Sequence, residues 1–289
     1  MPSLSVSGYA LTILLVAAVL HATWNFLLKK AENKMFVTSW ALLVSAVCAL
    51  PILVIGPGIP IDVLPYAFLS AGFEAAYYLT LAYAYGVGDF SMVYPTARGT
   101  APLFLVFWSV LFLGQAPSVL GVGGIGLMVI GMITIGNATR KVVDSMRYFN
   151  WPFVVALLIA VIISAYTVVD GKAAQIANPI SYIALVFVLT ALFAFPGLRK
   201  LGQKHRMSRA ECIRIVLIGI LSILAYALVV FVYAIAPVVY AGAIREVSIV
   251  FGAILGWLLL KEQFGSIRTL GSILIFAGIV LIVLAGATT

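Results

Sequence analysis

Charged residues are scarce in this sequence of 289 residues. Asp, Glu, Lys and Arg together make up 9% of the chain, against about 25% in a typical soluble domain. Hydrophobic residues make up 64%, and the mean hydropathy is +1.19. This composition excludes a soluble enzyme or binding module and is that of a membrane protein.

Cysteine and histidine are also rare. Cys48 and Cys212 are too few and too far apart in sequence for a disulfide framework, and neither they nor His21 and His205 form a metal-ligand pattern. No G-x-S-x-G, P-loop, HxxxD or HExxH pattern occurs, so neither a nucleophile with its base nor a catalytic metal is indicated. We predict that the protein is not an enzyme and uses no cofactor.

Apolar runs of about 20 residues recur along the chain, and this length of helix crosses a hydrocarbon core of roughly 30 Å. The longest polar break between them, 199–214, is too short for a soluble domain. A glycine-rich segment at 121–136 predicts a close helix contact, because small residues drive helix association in lipid. Ten spans are predicted, near residues 7–28, 35–56, 63–86, 90–113, 118–137, 150–170, 178–197, 213–235, 238–260 and 268–286.

Lys and Arg are concentrated in alternate connections between the predicted spans. Fourteen of the 17 basic residues lie in four such connections, and Lys172 lies in a connection of the other set. The positive-inside rule places the four basic connections in the cytoplasm and, with ten spans, both termini outside the plasma (inner) membrane. The net charge of +8 is therefore an orientation signal, and no nucleic-acid partner is expected.

The chain contains an internal repeat. With an offset of 142 residues, Trp24 aligns with Tyr166, and with an offset of 147, Arg98 aligns with Arg245. Each half has five predicted spans, and an odd number of spans per half inverts the second half relative to the first. The predicted fold is an all-α polytopic membrane protein of ten transmembrane helices, built as two inverted five-helix repeats at 8–137 and 150–286.

The motif "HATWNFLLKKA" in the first span and "LLLKEQ" at the end of the ninth, set in five-plus-five spans, resemble the EamA family of the drug/metabolite transporter superfamily. The resemblance covers about residues 8–286 and implies a secondary carrier, often an exporter of metabolites or amino acids, with a central cavity lined by both halves. In the small multidrug-resistance branch of the superfamily, an acidic residue eight positions before a lysine binds proton and drug in turn. In this sequence the residue eight positions before Lys29 is His21, so the carboxylate mechanism of that branch cannot simply be carried over to this protein.

A polar stripe lies on the first predicted helix, where His21, Trp24 and Asn25 are spaced at i, i+3 and i+4. Tyr166 holds the position equivalent to Trp24 in the second half. Polar groups inside a membrane are costly and are candidate functional groups, and an imidazole could exchange protons in a cavity. The alternative is an imidazole hydrogen-bonded between helices for packing.

Glu74, Tyr77 and Tyr78 share one face of the third predicted helix. A carboxylate on an aromatic face is a suitable wall for an organic solute, since the rings provide contact area and the acid provides charge or a proton site. The alternative is a structural role for Glu74 as the partner of an arginine.

Arg98 and Arg245 each lie about nine residues from a predicted helix end and so roughly 13 Å deep. A guanidinium keeps its proton, so each must face a partner, water or substrate. Two such groups beside one cavity favour a carboxylate, phosphate or phosphonate. The alternative pairs them with Glu74 and Glu246. Glu246 directly follows Arg245 and is expected to point to another side of the helix, so these two neighbours would not pair with each other.

The sequence thus predicts a secondary transporter, and an exporter by its resemblance, of a small amphiphilic anion or zwitterion such as an amino acid or an organic phosphate or phosphonate. It would work by alternating access around a central cavity, and coupling to protons through His21 or Glu74 is a further hypothesis. The alternatives are a drug or organic-cation exporter and a channel-like facilitator of the same fold. The expected partners are the small-molecule substrate and the lipid bilayer, with the protein as a monomer or a homodimer. The predicted substrate-binding residues are His21, Trp24, Asn25, Glu74, Tyr77, Tyr78, Arg98, Tyr166 and Arg245.

Overall fold

The computed structural model describes residues 6–87, 90–140, 151–201, 208–260 and 266–287, and the regular secondary structure within these ranges is helical. A 3-10 turn, Ile61–Val63, precedes the third α-helix, and a π-helical turn, Ser109–Leu113, continues the fourth. In chain order the α-helices are α1 (Gly8–Lys29), α2 (Lys34–Ile55), α3 (Leu64–Val87), α4 (Phe90–Trp108), α5 (Val119–Arg140), α6 (Trp151–Ala173), α7 (Pro179–Leu201), α8 (Arg209–Tyr233), α9 (Val238–Arg245), α10 (Ser248–Leu260) and α11 (Ser266–Ala287).

Length and apolar composition make several of these helices able to cross a membrane. The sequence places polar caps at their ends: at the start of α2, for example, Asn33 Oδ1 accepts a hydrogen bond of 3.0 Å from the backbone N–H of Phe36. Within the described residues, six segments are long and apolar enough to cross a membrane, and the total of ten crossings stays a prediction. The six are Gly8–Lys29, Lys34–Ile55, Thr96–Leu113, Trp151–Ala173, Pro179–Gly197 and Arg209–Tyr233.

The ninth predicted span, 238–260, is two helices rather than one. α9 ends at Arg245 and α10 begins at Ser248, and the backbone N–H of Glu246 bonds to the carbonyls of Ala243 and Ile244 in a tightened last turn. An interrupted helix is tolerated inside a membrane only where its backbone is buried in protein. That condition is met here, since Glu246 and Val247 are both buried.

The helices pack in pairs that follow the internal repeat. α1 packs against α8, and α3 packs against α6, so the first helix of each half contacts the third helix of the other. α2 packs against α7, and α5 packs against α11, so these helices contact their own equivalents. An approximate two-fold axis therefore relates the two halves.

Equivalent helices run in opposite directions where they touch. Near the start of α2, the ring of Trp40 packs edge-to-face on Phe195 near the end of α7, with ring centroids 6.1 Å apart. At the other end of this pair, Gly56 approaches Ser181 at the start of α7. An axis parallel to the helices would leave equivalent helices parallel, so the axis lies across them and the two halves point in opposite directions.

Glycine allows α5 and α11 to approach closely. A Cβ atom at Gly124 would lie 2.7 Å from the carbonyl oxygen of Gly278, and one at Gly131 would lie 2.6 Å from that of Gly271. No side chain fits at these distances. The close helix contact predicted from the glycine-rich segment is therefore present, and its partner is the last helix of the second half.

Candidate functional site

The polar and aromatic residues predicted for the site come together between the two halves. Ring contacts and hydrogen bonds join eight of the nine into one network, and Glu74 lies at its edge, where it interacts electrostatically with Asp170 and Arg245. The eight are His21, Trp24, Asn25, Tyr77, Tyr78, Arg98, Tyr166 and Arg245.

One carboxylate, that of Glu246, holds both arginines at the centre of this network. Arg98 Nη1 donates to Glu246 Oε1 at 3.1 Å and to Oε2 at 2.9 Å. Arg245 Nε donates to Oε1 at 3.0 Å, and its Nη2 lies 2.9 Å from the same oxygen. The three side chains are at most 3% exposed. The group therefore carries two positive charges and one negative charge, all shielded from solvent.

The expectation that Arg245 and Glu246 would not pair is wrong. Adjacent residues diverge on a continuous helix, but α9 ends at Arg245, and the carboxylate of Glu246 beyond that end contacts both Arg245 and Arg98 of α4. Glu74 is not the partner of either arginine, since neither forms an ion pair with it within the described residues.

His21 lies between two N–H donors. The indole Nε1 of Trp24 donates towards Nδ1 at 3.3 Å, and Arg98 Nη2 contacts Nε2. A neutral imidazole can accept a hydrogen bond at one nitrogen, whereas an imidazolium accepts none. A neutral His21 can therefore accept from one of these two donors, and a protonated His21 from neither.

The aromatic residues form a frame that follows the repeat. In the first half, Trp24 of α1 packs near Tyr78 of α3, with ring centroids 6.4 Å apart. In the second half, Tyr166 of α6 packs on Tyr226 of α8 at 5.6 Å. Tyr77 joins the two pairs, because its ring lies 5.2 Å from Tyr78 and 5.9 Å from Tyr166. The frame thus runs continuously across the boundary between the halves.

A second set of equivalent contacts shows where the halves differ. In the first half, the hydroxyl of Tyr85 donates to Asn25 Oδ1 at 3.2 Å. In the second half, the corresponding hydroxyls accept from Arg245 instead: Tyr233 from Nη1 at 3.2 Å and Thr167 from Nη2 at 3.3 Å. In the second half these two residues therefore bind the arginine, whereas in the first half the two equivalent residues hydrogen-bond to each other.

Two buried carboxylates lie beside the frame. Asp170 accepts hydrogen bonds from Tyr182 at 2.7 Å and from Tyr226 at 2.5 Å, one on each carboxylate oxygen. Glu74 is also buried, but its Oε2 has no hydrogen-bond partner among the described residues. A buried polar atom without a partner is costly, so Glu74 is the least satisfied charged residue of the site.

The sequence matches the model of the EamA-like transporter family twice, over residues 8–137 and 150–284. The chain belongs to the EamA-like transporter family. Together with its apolar helices, this makes it a multi-pass membrane transporter of the drug/metabolite type. The resemblance drawn from the first-span and ninth-span motifs is therefore confirmed, and the family is one of transporters rather than of enzymes.

A solved structure titled "Crystal structure of protein" shares the fold of this EamA transporter. The two align with a TM-score of 0.79 and 18% sequence identity, over 97% of this chain and 98% of that chain. At this identity the likeness concerns the fold alone. A comparison with curated proteins finds no match.

Two tyrosines of the EamA transporter's site, Tyr226 and Tyr233, were not predicted from the sequence. The signal was present, because they are seven residues apart on α8, as Tyr78 and Tyr85 are on α3. An offset of 148 residues aligns both pairs, whereas the offset of 147 that aligns the arginines misses them by one. The second half is therefore one residue shorter between Tyr233 and Arg245 than the first half is between Tyr85 and Arg98.

Proposed function

We propose that this EamA transporter is a secondary carrier for a small amphiphilic solute bearing a carboxylate, phosphate or phosphonate group, an amino acid being one example. The solute binds between the two halves, against the aromatic frame. Export is the proposed direction, following the family resemblance. The proposed topology has ten crossings, with both termini outside the plasma membrane.

The observation that carries this proposal is that two arginines share the carboxylate of Glu246. Arg98 and Arg245 come from opposite halves, and one negative charge faces their two positive charges. An anionic group on the substrate can replace Glu246 or bind the arginines beside it, since guanidinium binds carboxylates and phosphates in the same bidentate geometry. A lipophilic cation would meet repulsion from the excess positive charge.

The aromatic frame supplies the remaining contact area. Rings such as those of Trp24, Tyr77 and Tyr166 provide a large apolar surface with polar edges, which fits a solute that is apolar at one end and charged at the other. The guanidinium of Arg245 already lies 5.8 Å from the centroid of the Tyr166 ring, so charge and apolar surface meet at one place.

Alternating access follows in this proposal from the position of the arginine–glutamate bridge. The bridge ties α4 of the first half to the α9–α10 junction of the second half, and the hydroxyls of Tyr94 and Ser248, 3.2 Å apart, tie the same elements. Opening of the central site to either side separates elements of opposite halves. An arriving anion that competes for the arginines would loosen the bridge and so couple binding to movement.

Proton coupling through His21 or Glu74 is a separate part of the proposal. The His21 ring can accept a proton only when Arg98 withdraws, because Arg98 Nη2 contacts its Nε2 in this conformation. Proton uptake would then accompany the same movement that frees the arginine. Transport whose rate and accumulation ignore an imposed pH gradient would exclude coupling to protons.

An organic-cation substrate is the second candidate, and one observation favours it. Glu74 Oε2 lacks a partner among the described residues and shares a helix face with Tyr77 and Tyr78. A carboxylate beside aromatic rings is a usual recognition site for ammonium groups. The experiment must therefore separate anions from cations.

A thermal-shift screen of the purified protein tests the proposal, because a ligand that binds the folded state raises its apparent stability. The panel contains carboxylates, phosphates, phosphonates and quaternary ammonium compounds. We expect stabilisation by anionic solutes that is lost in Arg98→Ala and Arg245→Ala and retained in Arg209→Ala, which removes an exposed arginine at the start of α8. Stabilisation by quaternary cations alone would overturn the proposal.

A further inference from the structure

Three buried oxygen atoms near the candidate site have no hydrogen-bond partner among the described residues. They are Ser70 Oγ and Glu74 Oε2 on α3 and Thr190 Oγ1 on α7. Ser70 and Thr190 are fully buried, and Glu74 is 3% exposed. Each such atom costs about 1–3 kcal/mol when it is left without a partner, and most native structures contain few of them.

These oxygens lie in one place. Ser70 and Glu74 are one helical turn apart on the same face of α3. Thr190 lies beside Glu74, and Ser70 lies beside Asp170 of α6, in each case near enough to interact but without a hydrogen bond of normal geometry. Two hydroxyl groups and two carboxylates from three helices are therefore neighbours beside the aromatic frame.

The chemistry of this group is that of a site for a hard cation. Its atoms are all oxygens, the ligands that hard cations prefer. The available negative charge is small, because both oxygens of Asp170 already accept tyrosine hydrogen bonds, which leaves Glu74 as the free carboxylate. No group of three or more His, Cys, Asp or Glu side chains that could hold a metal ion occurs in the described ranges. One free carboxylate with neutral hydroxyls suits a monovalent ion better than a divalent one.

Burial favours an inorganic ion over an organic ammonium group at these oxygens. Ser70, Thr190 and Asp170 are each 0% exposed, so these oxygens are closed off from solvent in this conformation. An organic group would need an open path for its carbon skeleton, whereas a bare ion needs only the oxygens themselves. Na⁺, which takes oxygen ligands and sheds water more readily than a divalent ion, fits this enclosure.

We propose that Ser70, Glu74, Thr190 and Asp170 form a Na⁺-binding site in this transporter. The ion compensates the charge of Glu74 and gives the two hydroxyl oxygens a partner. The ion site can be tested separately from the anion site proposed above, since neither Glu74 nor Asp170 forms an ion pair with an arginine among the described residues.

The test measures the unfolding temperature of the purified protein in NaCl, KCl and choline chloride at equal ionic strength. We expect a stabilisation that rises with Na⁺ concentration and is absent in choline, as ion binding to the folded state requires. Glu74→Gln and Thr190→Val should weaken the response by about tenfold or more in Na⁺ concentration. Ser70→Ala should weaken it in the same direction.

Two matched variants control for the loss of a buried hydroxyl alone. Thr38 and Ser109 are also buried, and their hydroxyl oxygens also lack a hydrogen-bond partner in the described part of the chain, but they lie on α2 and at the end of α4. Thr38→Val and Ser109→Ala should therefore keep the full Na⁺ response.

Equal stability of the wild-type protein in Na⁺ and choline would overturn the site, and this comparison needs no variant to fold. A dependence on pH without any effect of Na⁺ would assign Glu74 to a proton instead and would also overturn it. A Na⁺ response that persists in Glu74→Gln would place the ion elsewhere. Failure of the anion screen with an intact Na⁺ response would reject the proposed substrate class and leave the ion site standing.

Discussion

Substitution of Glu246 by glutamine removes the one carboxylate that faces both central arginines. Glutamine has nearly the same shape, so the packing at the α9–α10 junction is preserved. The charge balance is not, because Arg98 and Arg245 then remain buried without an anionic partner. We expect Glu246→Gln to be among the most destabilising single changes in this transporter.

The expected magnitude follows from the contacts. Removing one partner of a buried ion pair costs about 3–5 kcal/mol, and here one carboxylate makes contacts of 2.9 Å with each of two arginines. The amide oxygen of glutamine can still accept a hydrogen bond worth about 1 kcal/mol, which favours the lower end of that range. The free energy of unfolding, measured in lipid bicelles or mild detergent, should therefore fall by about 3 kcal/mol for Glu246→Gln and by more for Glu246→Ala.

A double substitution separates lost charge balance from lost packing. Arg245→Gln combined with Glu246→Gln leaves one arginine instead of two, so the pair should be less destabilising than the sum of the two single changes. Added acetate should stabilise Glu246→Ala more than the wild-type protein, since the anion can occupy the vacated position. The control is Glu32→Gln, which removes an exposed carboxylate in the α1–α2 connection. Equal unfolding free energies for Glu246→Gln and Glu32→Gln would refute the reasoning.

Three further predictions concern topology, packing and coupling. A reporter that is active only in the cytoplasm, fused after Thr289, should stay inactive, and activity would reverse the proposed orientation. Gly124→Val should lower the unfolding free energy by about 1–3 kcal/mol or more, because its Cβ would lie 2.7 Å from the carbonyl oxygen of Gly278; unchanged stability would contradict the close α5–α11 contact. His21→Gln should flatten the pH dependence of transport in proteoliposomes if the ring carries the coupled proton, and an unaltered pH profile would remove His21 from that role.

Much of the fold could be predicted from local sequence. Apolar runs with polar breaks gave the helices their positions within a few residues, because the cost of exposing backbone groups in lipid leaves helix as the available structure. The break at residues 246–247 could not be predicted in this way. It lies inside an apolar run, and it depends on a buried environment in which the side chain of Glu246 reaches Arg98 on another helix.

Parts of the candidate site were predicted because helical spacing is local information. The stripe of His21, Trp24 and Asn25 needed only the periodicity of one helix, and these residues do face the interior together. Which of these residues pair with one another could not be predicted in this way, since the pairing depends on how the two halves pack. The rule that neighbouring residues diverge on a helix separated Arg245 from Glu246, and it failed because the helix ends between them.

The two halves of the site share an aromatic frame and one arginine each, but they differ in their other ionisable residues. Tyr78 and Tyr226 are equivalent, whereas one helical turn earlier Glu74 of the first half aligns with Ser222 of the second half. His21 likewise aligns with Ile163. If the halves were identical, exchanging their conformations would convert an inward-open form into an outward-open form of equal energy. Any preference between the two forms in this transporter must therefore come from the residues that break the symmetry, and the ionisable ones among them are those through which a coupled ion can act.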